Sequence, residues 1–108
     1  IIGLGSPPDK SQTIISEFSD EYIGKITNKG ICGDILAQFF YPDGEIYDIN
    51  DSYDHVSFDI RKLKEVKSVI CLAGGVEKVN GIVTAAKSGF IKTLITDSIT
   101  ARLIFELL

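Results

Sequence analysis

The residues of this chain whose types and spacing could do chemistry are a glycine pair, one lysine and a few carboxylates. In CLAGGVEKVNG, residues 71–81, an apolar run ends at Gly74-Gly75, and Lys78 follows where a helix is predicted to begin. A helix N-terminus carries partial positive charge, so a lysine there is unfavourable unless something offsets it. A bound anion would do so. Glycines let backbone N–H groups approach a ligand closely, the helix end adds its dipole, and Lys78 adds a full point charge. Together they suit a phosphate or an acidic group on a small metabolite. The competing reading is a tight strand-to-helix turn with a solvated lysine, and a glycine-rich turn does not by itself separate the two. The stretch is neither a Walker A loop nor a G-x-G-x-x-G fingerprint. The nearest match to the latter, Gly3-Leu4-Gly5, continues as Ser6-Pro7-Pro8 into a loop.

Asp34, in ICGDI, follows a glycine at the start of a predicted strand, where a carboxylate could accept hydrogen bonds from sugar hydroxyls or simply cap a loop. Asp97 reads as a helix N-cap. His55 is the only histidine and reads as a surface residue, having no nucleophile or metal partner in view. The run Asp48, Asp51, Asp54 lacks the glycine and terminal glutamate of a calcium loop. The two cysteines, Cys32 and Cys71, fit neither a disulfide framework nor a metal-ligand spacing. No catalytic residue, metal site or cofactor is expected from these motifs.

The elements that must position these residues can be read from periodicity. Residues 1–5, IIGLG, are an apolar run closed by glycine and read as a buried strand entering a surface loop over 6–13. Ser19 can cap a helix over about 20–29, with Gly30 past its end. Asp43-Gly44 is a turn dipeptide between two runs of strand formers, which predicts a hairpin. Asp59 can cap a short helix over 60–66, with Ile60 and Leu63 facing in. Residues 68–73, SVICLA, are continuously apolar, as in a strand covered on both faces. Val79, Ile82, Val83 and Ala86 form a helix stripe that Gly89 ends. Residues 92–96, KTLIT, read as another buried strand, and Asp97 or Ser98 opens a final helix with Ala101, Ile104, Phe105 and Leu108 inward. Strand, helix, strand, helix predicts an α/β fold, a parallel sheet with flanking helices plus a β-hairpin. In such sheets ligands bind outside the carboxyl ends of the strands. Three ends would then converge: Gly3–Ser6, Gly74–Lys78 and Thr96–Ser98. The ligand-binding candidates are accordingly Lys78, Asp34, Gly74, Gly75, Gly5 and Ser6.

With 108 residues, 44% of them hydrophobic and 24% charged, the chain has ordinary globular composition. A net charge of −4 argues against gripping a phosphate backbone. No apolar run reaches the roughly 20 residues of a membrane span. The default setting for its cysteines is a reducing cytoplasm. The sequence opens inside a predicted strand and without methionine, so a fragment of a longer polypeptide is expected.

GDILAQFFYPDG, VICLAGGVEKVNGIVTAAKSG and TLITDSITARLI, in this order and near these separations, resemble the C-terminal part of SorC-type transcriptional regulators. These are bacterial regulators of sugar operons and include the central glycolytic gene regulator. The opening IIGLGSP is similar to the family's strand and Gly-x-Gly segment, so the resemblance covers essentially the whole chain. It implies an effector domain built on a sugar-phosphate isomerase and deaminase-like fold that senses a phosphorylated sugar without catalysing a reaction. The family's phosphate-contacting lysine after AGG falls on Lys78, and its hydroxyl-contacting acidic residue falls on Asp34. The resemblance further implies an N-terminal DNA-binding domain that meets operator DNA, and a homo-oligomer, dimer or tetramer. That domain and the first half of the effector domain, with a Gly-Thr-rich phosphate loop, have no counterpart in these residues. Residues 1–108 are therefore expected to be the C-terminal portion of one effector domain, holding part of the pocket. The chain differs from many relatives at Ser57, where they carry glycine. Two other functions stay open: an isomerase or deaminase using Asp34, Glu77 or Asp97 as base, and an interaction domain whose glycine turn is structural only.

Overall fold

The computed structural model describes residues 1–7, 30–47 and 58–108. The helix expected over 20–29, and His55, Ser57 and the Asp48, Asp51, Asp54 run, lie outside the described residues.

In chain order the strands are β1 (Ile2–Gly3), β2 (Gly33–Ile35), β3 (Gln38–Phe40), β4 (Ile70–Leu72) and β5 (Thr93–Ile95). The α-helices are α1 (Val79–Lys87) and α2 (Ser98–Leu107), and 3-10 turns cover Ile60–Glu65 and Val76–Lys78. Strands β1, β4 and β5 form a parallel sheet in that order, while β2 and β3 form a separate antiparallel pair. The strand–helix–strand order across a parallel pair is the one read from periodicity.

Cys71 is central. Ile2 and Leu94 flank it in register, and the row faces the core. That core joins Leu4, Ile35, Phe40, Ile60, Cys71 and Ile82, with Phe40 and Phe90 edge to face at 6.0 Å. Each such side chain removed from water contributes roughly 1.5–3 kcal/mol. Asp59 caps the first 3-10 turn by accepting from the Arg61 N–H at 3.0 Å, and Ile60 and Leu63 are buried beneath it. Gln38 ties the hairpin to this turn. Its side chain donates to the Phe58 carbonyl and accepts from the Ile60 N–H.

Three expectations about the strands need correcting. The Asp43-Gly44 turn forms, with Gly44 at φ 90° and the Tyr41 N–H donating to the Glu45 carbonyl at 2.8 Å. Among the described residues it leads to a bridge between Phe40 and Ile46 and a bond from the Tyr47 N–H to the Phe39 carbonyl, with no further ladder. The laddered hairpin turns earlier, at Leu36-Ala37, which both sit at positive φ (51° and 64°). Among the described residues β4 is covered on one face only, with Val69, Cys71 and Ala73 buried while Leu72 is 49% exposed. β5 is an open strand and not a buried one, with Thr93 and Ile95 exposed, because no described element lies over that face.

The helix stripes differ in part. α1 buries Val79, Ile82 and Val83 as expected, adds Gly81 and Ala85, and leaves Ala86 exposed. Gly81 lets the helix backbone press onto β2, for a Cβ there would meet the Cys32 carbonyl oxygen at 2.8 Å. α2 turns Thr100 inward, with Ala101 and Ile104 half-buried, and leaves Phe105 76% and Leu108 73% exposed. Periodicity identified an apolar stripe on α2 but not that its outer part lacks a covering element among the described residues.

Candidate functional site

The carboxyl ends of the three parallel strands meet at one edge, and each predicted site residue can be placed there or beside it. β1 runs out through Leu4 to Gly5, which pairs with Asp34 of the hairpin. The Gly5 N–H donates to the Asp34 carbonyl at 2.8 Å, and the Asp34 N–H donates back at 3.3 Å. The Asp34 carboxylate lies over the Gly5 α-carbon, in the space a side chain would fill. Gly5 thus serves by lacking a Cβ, and Ser6 follows it half-buried.

β4 runs out through Ala73 to the glycine pair. A Cβ on Gly74 would stand 2.6 Å from Asp97 Oδ2. Gly75 sits at φ 124°, a conformation L side chains rarely adopt, and the Glu77 carboxylate packs across it. The Gly75 N–H is already engaged, donating to Thr100 Oγ1 at 2.9 Å. It is therefore not a free donor for an anion. The unpaired N–H groups of the first helical turn are the ones available in general at such a terminus. The Gly75 carbonyl accepts from the Lys78 N–H at 3.1 Å. Lys78 stands at the N-cap of α1 and is half-buried.

β5 runs out through Thr96 to Asp97, which caps α2. Its Oδ1 accepts from the Thr100 N–H at 2.7 Å, and its Oδ2 accepts from the Thr100 hydroxyl at 2.9 Å. Among the described residues, Thr96 Oγ1 is buried with no hydrogen-bond partner.

The electrostatics separate the carboxylates. Thr100, by its N–H and its hydroxyl, holds Asp97 below the usual carboxylate range. Asp34 goes the other way: burial pushes it up, and the Lys78 charge pulls it partly back. Lys78 acts on Cys71 in the same sense, against burial. Lys78 and Asp34 therefore share one electrostatic neighbourhood although they stand on a helix and a hairpin. No donor among the described residues reaches the Asp34 carboxylate. It can accept from a ligand hydroxyl, and Lys78 can donate to an anion. Asp97 is committed to Thr100, which leaves it poorly suited as a base.

Sequence reasoning missed Thr100. It is 1% exposed and links Gly75 to Asp97. The Asp-x-x-Thr spacing at the start of α2 is the signal that could have found it. A cleft of about 570 Å³ lies apart from the strand ends, lined by residues that include Pro7, Cys32, Asn80, Thr84 and Lys87. Among the described residues, Lys87 is the only charged side chain in its lining. The strand-end cluster, with opposite charges on two elements, is the better-equipped site.

Residues 1–106 match the family model described as "Putative sugar-binding domain". The chain belongs to this family, the sugar-binding domain of SorC-type transcriptional regulators. It is 29% identical over 107 residues to the sorbitol operon regulator of Klebsiella pneumoniae, covering 98% of this chain and 34% of that protein. The crystal structure of the full-length sorbitol operon regulator SorC from the same organism superposes with a TM-score of 0.80 at 30% identity, over 95% of this chain and 34% of that one. A transcriptional regulator from Streptococcus pneumoniae shares the fold, with a TM-score of 0.83 at 21% identity, over 98% of this chain and 41% of that one. The chain thus spans about a third of the length of the curated relative. These homologues are regulators, and the family assignment makes this a sugar-binding domain of the mixed α/β kind. Among the described residues, no helix is long and apolar enough to cross a membrane.

Proposed function

We propose that this domain is the effector sensor of a cytoplasmic carbohydrate regulator, and that its effector is a phosphorylated sugar. Lys78 meets the phosphate, Asp34 accepts from sugar hydroxyls, and Gly5, Ser6, Gly74 and Gly75 keep the edge open to the ligand. The observation that carries this reading is the half-buried Asp34 carboxylate, free of protein donors among the described residues and under the influence of the Lys78 charge where the strand ends converge. Residues 1–108 are the C-terminal portion of an effector domain related to sugar-phosphate isomerases and deaminases. The rest of that domain completes the pocket, and a separate domain meets operator DNA. Binding shifts a homo-oligomer between states of different operator affinity, which requires the ligand to prefer one of them.

The test is calorimetric titration of the full-length regulator with hexose and pentose phosphates. One of them binds, and Lys78→Ala weakens it about 10- to 100-fold, the worth of one charge-assisted hydrogen bond. If no phosphosugar binds, and Lys78→Ala leaves operator binding unchanged, the sensor reading is wrong. The raised Asp34 pKa supports a second reading, a general base in an isomerase or deaminase. Turnover of ribose 5-phosphate or glucosamine 6-phosphate would favour it.

A further inference from the structure

Four residues form a continuous hydrogen-bonded line that ends at Lys78. Asp97 Oδ2 accepts from the Thr100 hydroxyl at 2.9 Å, which fixes the direction of that hydroxyl proton. With its proton so committed, Thr100 Oγ1 presents a lone pair to the Gly75 N–H, also at 2.9 Å. The Gly75 carbonyl in turn accepts from the Lys78 N–H at 3.1 Å. Gly75 is thereby held on both sides of its α-carbon, at a φ of 124° that the turn needs. Gly74 contributes by absence, since a Cβ there would collide with the Asp97 carboxylate. Thr100 is 1% exposed and Gln38 is the only other buried polar side chain among the described residues, so its hydroxyl sits at a costly position. A capping role alone would engage only Asp97 and the Thr100 N–H. The additional bond to Gly75 reaches out of α2 into the turn that aims Lys78.

We infer that Thr100 is a positioning residue: its hydroxyl sets the Gly75 turn and, through it, the placement of Lys78 for an anionic ligand. The inference rests on the sensing role proposed above. It makes α2 part of the ligand site without touching the ligand, so ligand contact at Lys78 and the seating of α2 are coupled events.

The test uses the full-length regulator, with inorganic phosphate and the hexose and pentose phosphates as probes. Thr100→Val, which keeps the shape and loses the hydroxyl, weakens phosphosugar binding about tenfold. Thr100→Ser restores affinity to within about threefold of the parent. In a double-mutant cycle, Thr100→Val adds little to Lys78→Ala, because it acts through that side chain. In the unaltered protein, hydrogen exchange slows on ligand addition both at residues 74–78 and at 97–101, a readout that stands even if the valine variant does not fold. Parental affinity in a folded Thr100→Val protein, with Lys78→Ala still impaired, overturns the inference and leaves the sensor reading intact. Failure of serine to rescue, additive effects with Lys78→Ala, or protection at 74–78 alone overturns it too. If Lys78→Ala binds every probe as the parent does, the sensor reading fails and this inference with it.

Discussion

Asp34 carries opposite demands. Burial raises its pKa, so between the ordinary carboxylate value and the raised one the folded chain holds more protons than the unfolded chain. Stability from this group therefore falls as pH rises through that window, and the charged form is a net cost at neutral pH. Asp34→Asn is expected to melt higher than the parent at pH 7, with the advantage shrinking toward pH 4. It should also bind a phosphosugar about tenfold more weakly, since hydrogen bonds to a charged acceptor are the stronger kind. A variant that melts lower at pH 7 would contradict this account. Asp97 has the opposite sign: its lowered pKa supplies stability above the ordinary value that is lost as pH falls through the lowered one. Both carboxylates were visible in the sequence as candidates. The environment of Asp34 was not, because its burial and the nearby Lys78 charge depend on elements that only the fold brings together, whereas Thr100 lies three residues from Asp97 in sequence.

At the scale of elements, the hairpin is the instructive case. Asp43-Gly44 carried the turn signal, yet the paired strands turn at Leu36-Ala37. Two positive φ values in a two-residue hairpin loop make a type I′ geometry, for which Asn-Gly is preferred. Leucine and alanine there give no local signal, and each L residue in this region costs about 1–2 kcal/mol. Pairing of β2 with β3 and burial of Ile35, Phe39 and Phe40 override that cost. Leu36→Asn with Ala37→Gly is accordingly expected to stabilise the domain by about 1 kcal/mol, after the extra backbone entropy of glycine is counted. In urea unfolding the midpoint rises and the slope stays the same. An unchanged or lowered midpoint would mean the turn is not strained. The caps were easier to read, because Asp59 and Asp97 accept from residues two and three positions on and need no distant partner.

Across the whole molecule, the parallel order of the sheet was legible, and the convergence of strand ends followed from it. What lies over each face was not. Gly3, Leu72 and Ile95 share one row across the sheet, with Leu72 49% and Ile95 54% exposed. A continuous apolar run in sequence says that a strand is apolar, not which neighbour covers it. The isolated 108-residue chain is expected to self-associate through this face, as exposed apolar patches do. Leu72→Glu with Ile95→Lys should shift it toward monomer in sedimentation velocity, and a clean monomer from the unaltered chain would refute the expectation.

Gly81 has a wider meaning at this scale. Its backbone contact with Cys32 fastens α1 to the hairpin without an intervening side chain. Lys78 stands at the head of that helix and Asp34 two residues beyond Cys32. The two opposite charges are consequently carried by backbones already in contact before any ligand arrives. For the sensing role proposed here, none of the binding free energy is spent on bringing those backbones together. That free energy stays available to shift how they sit against whatever surrounds them.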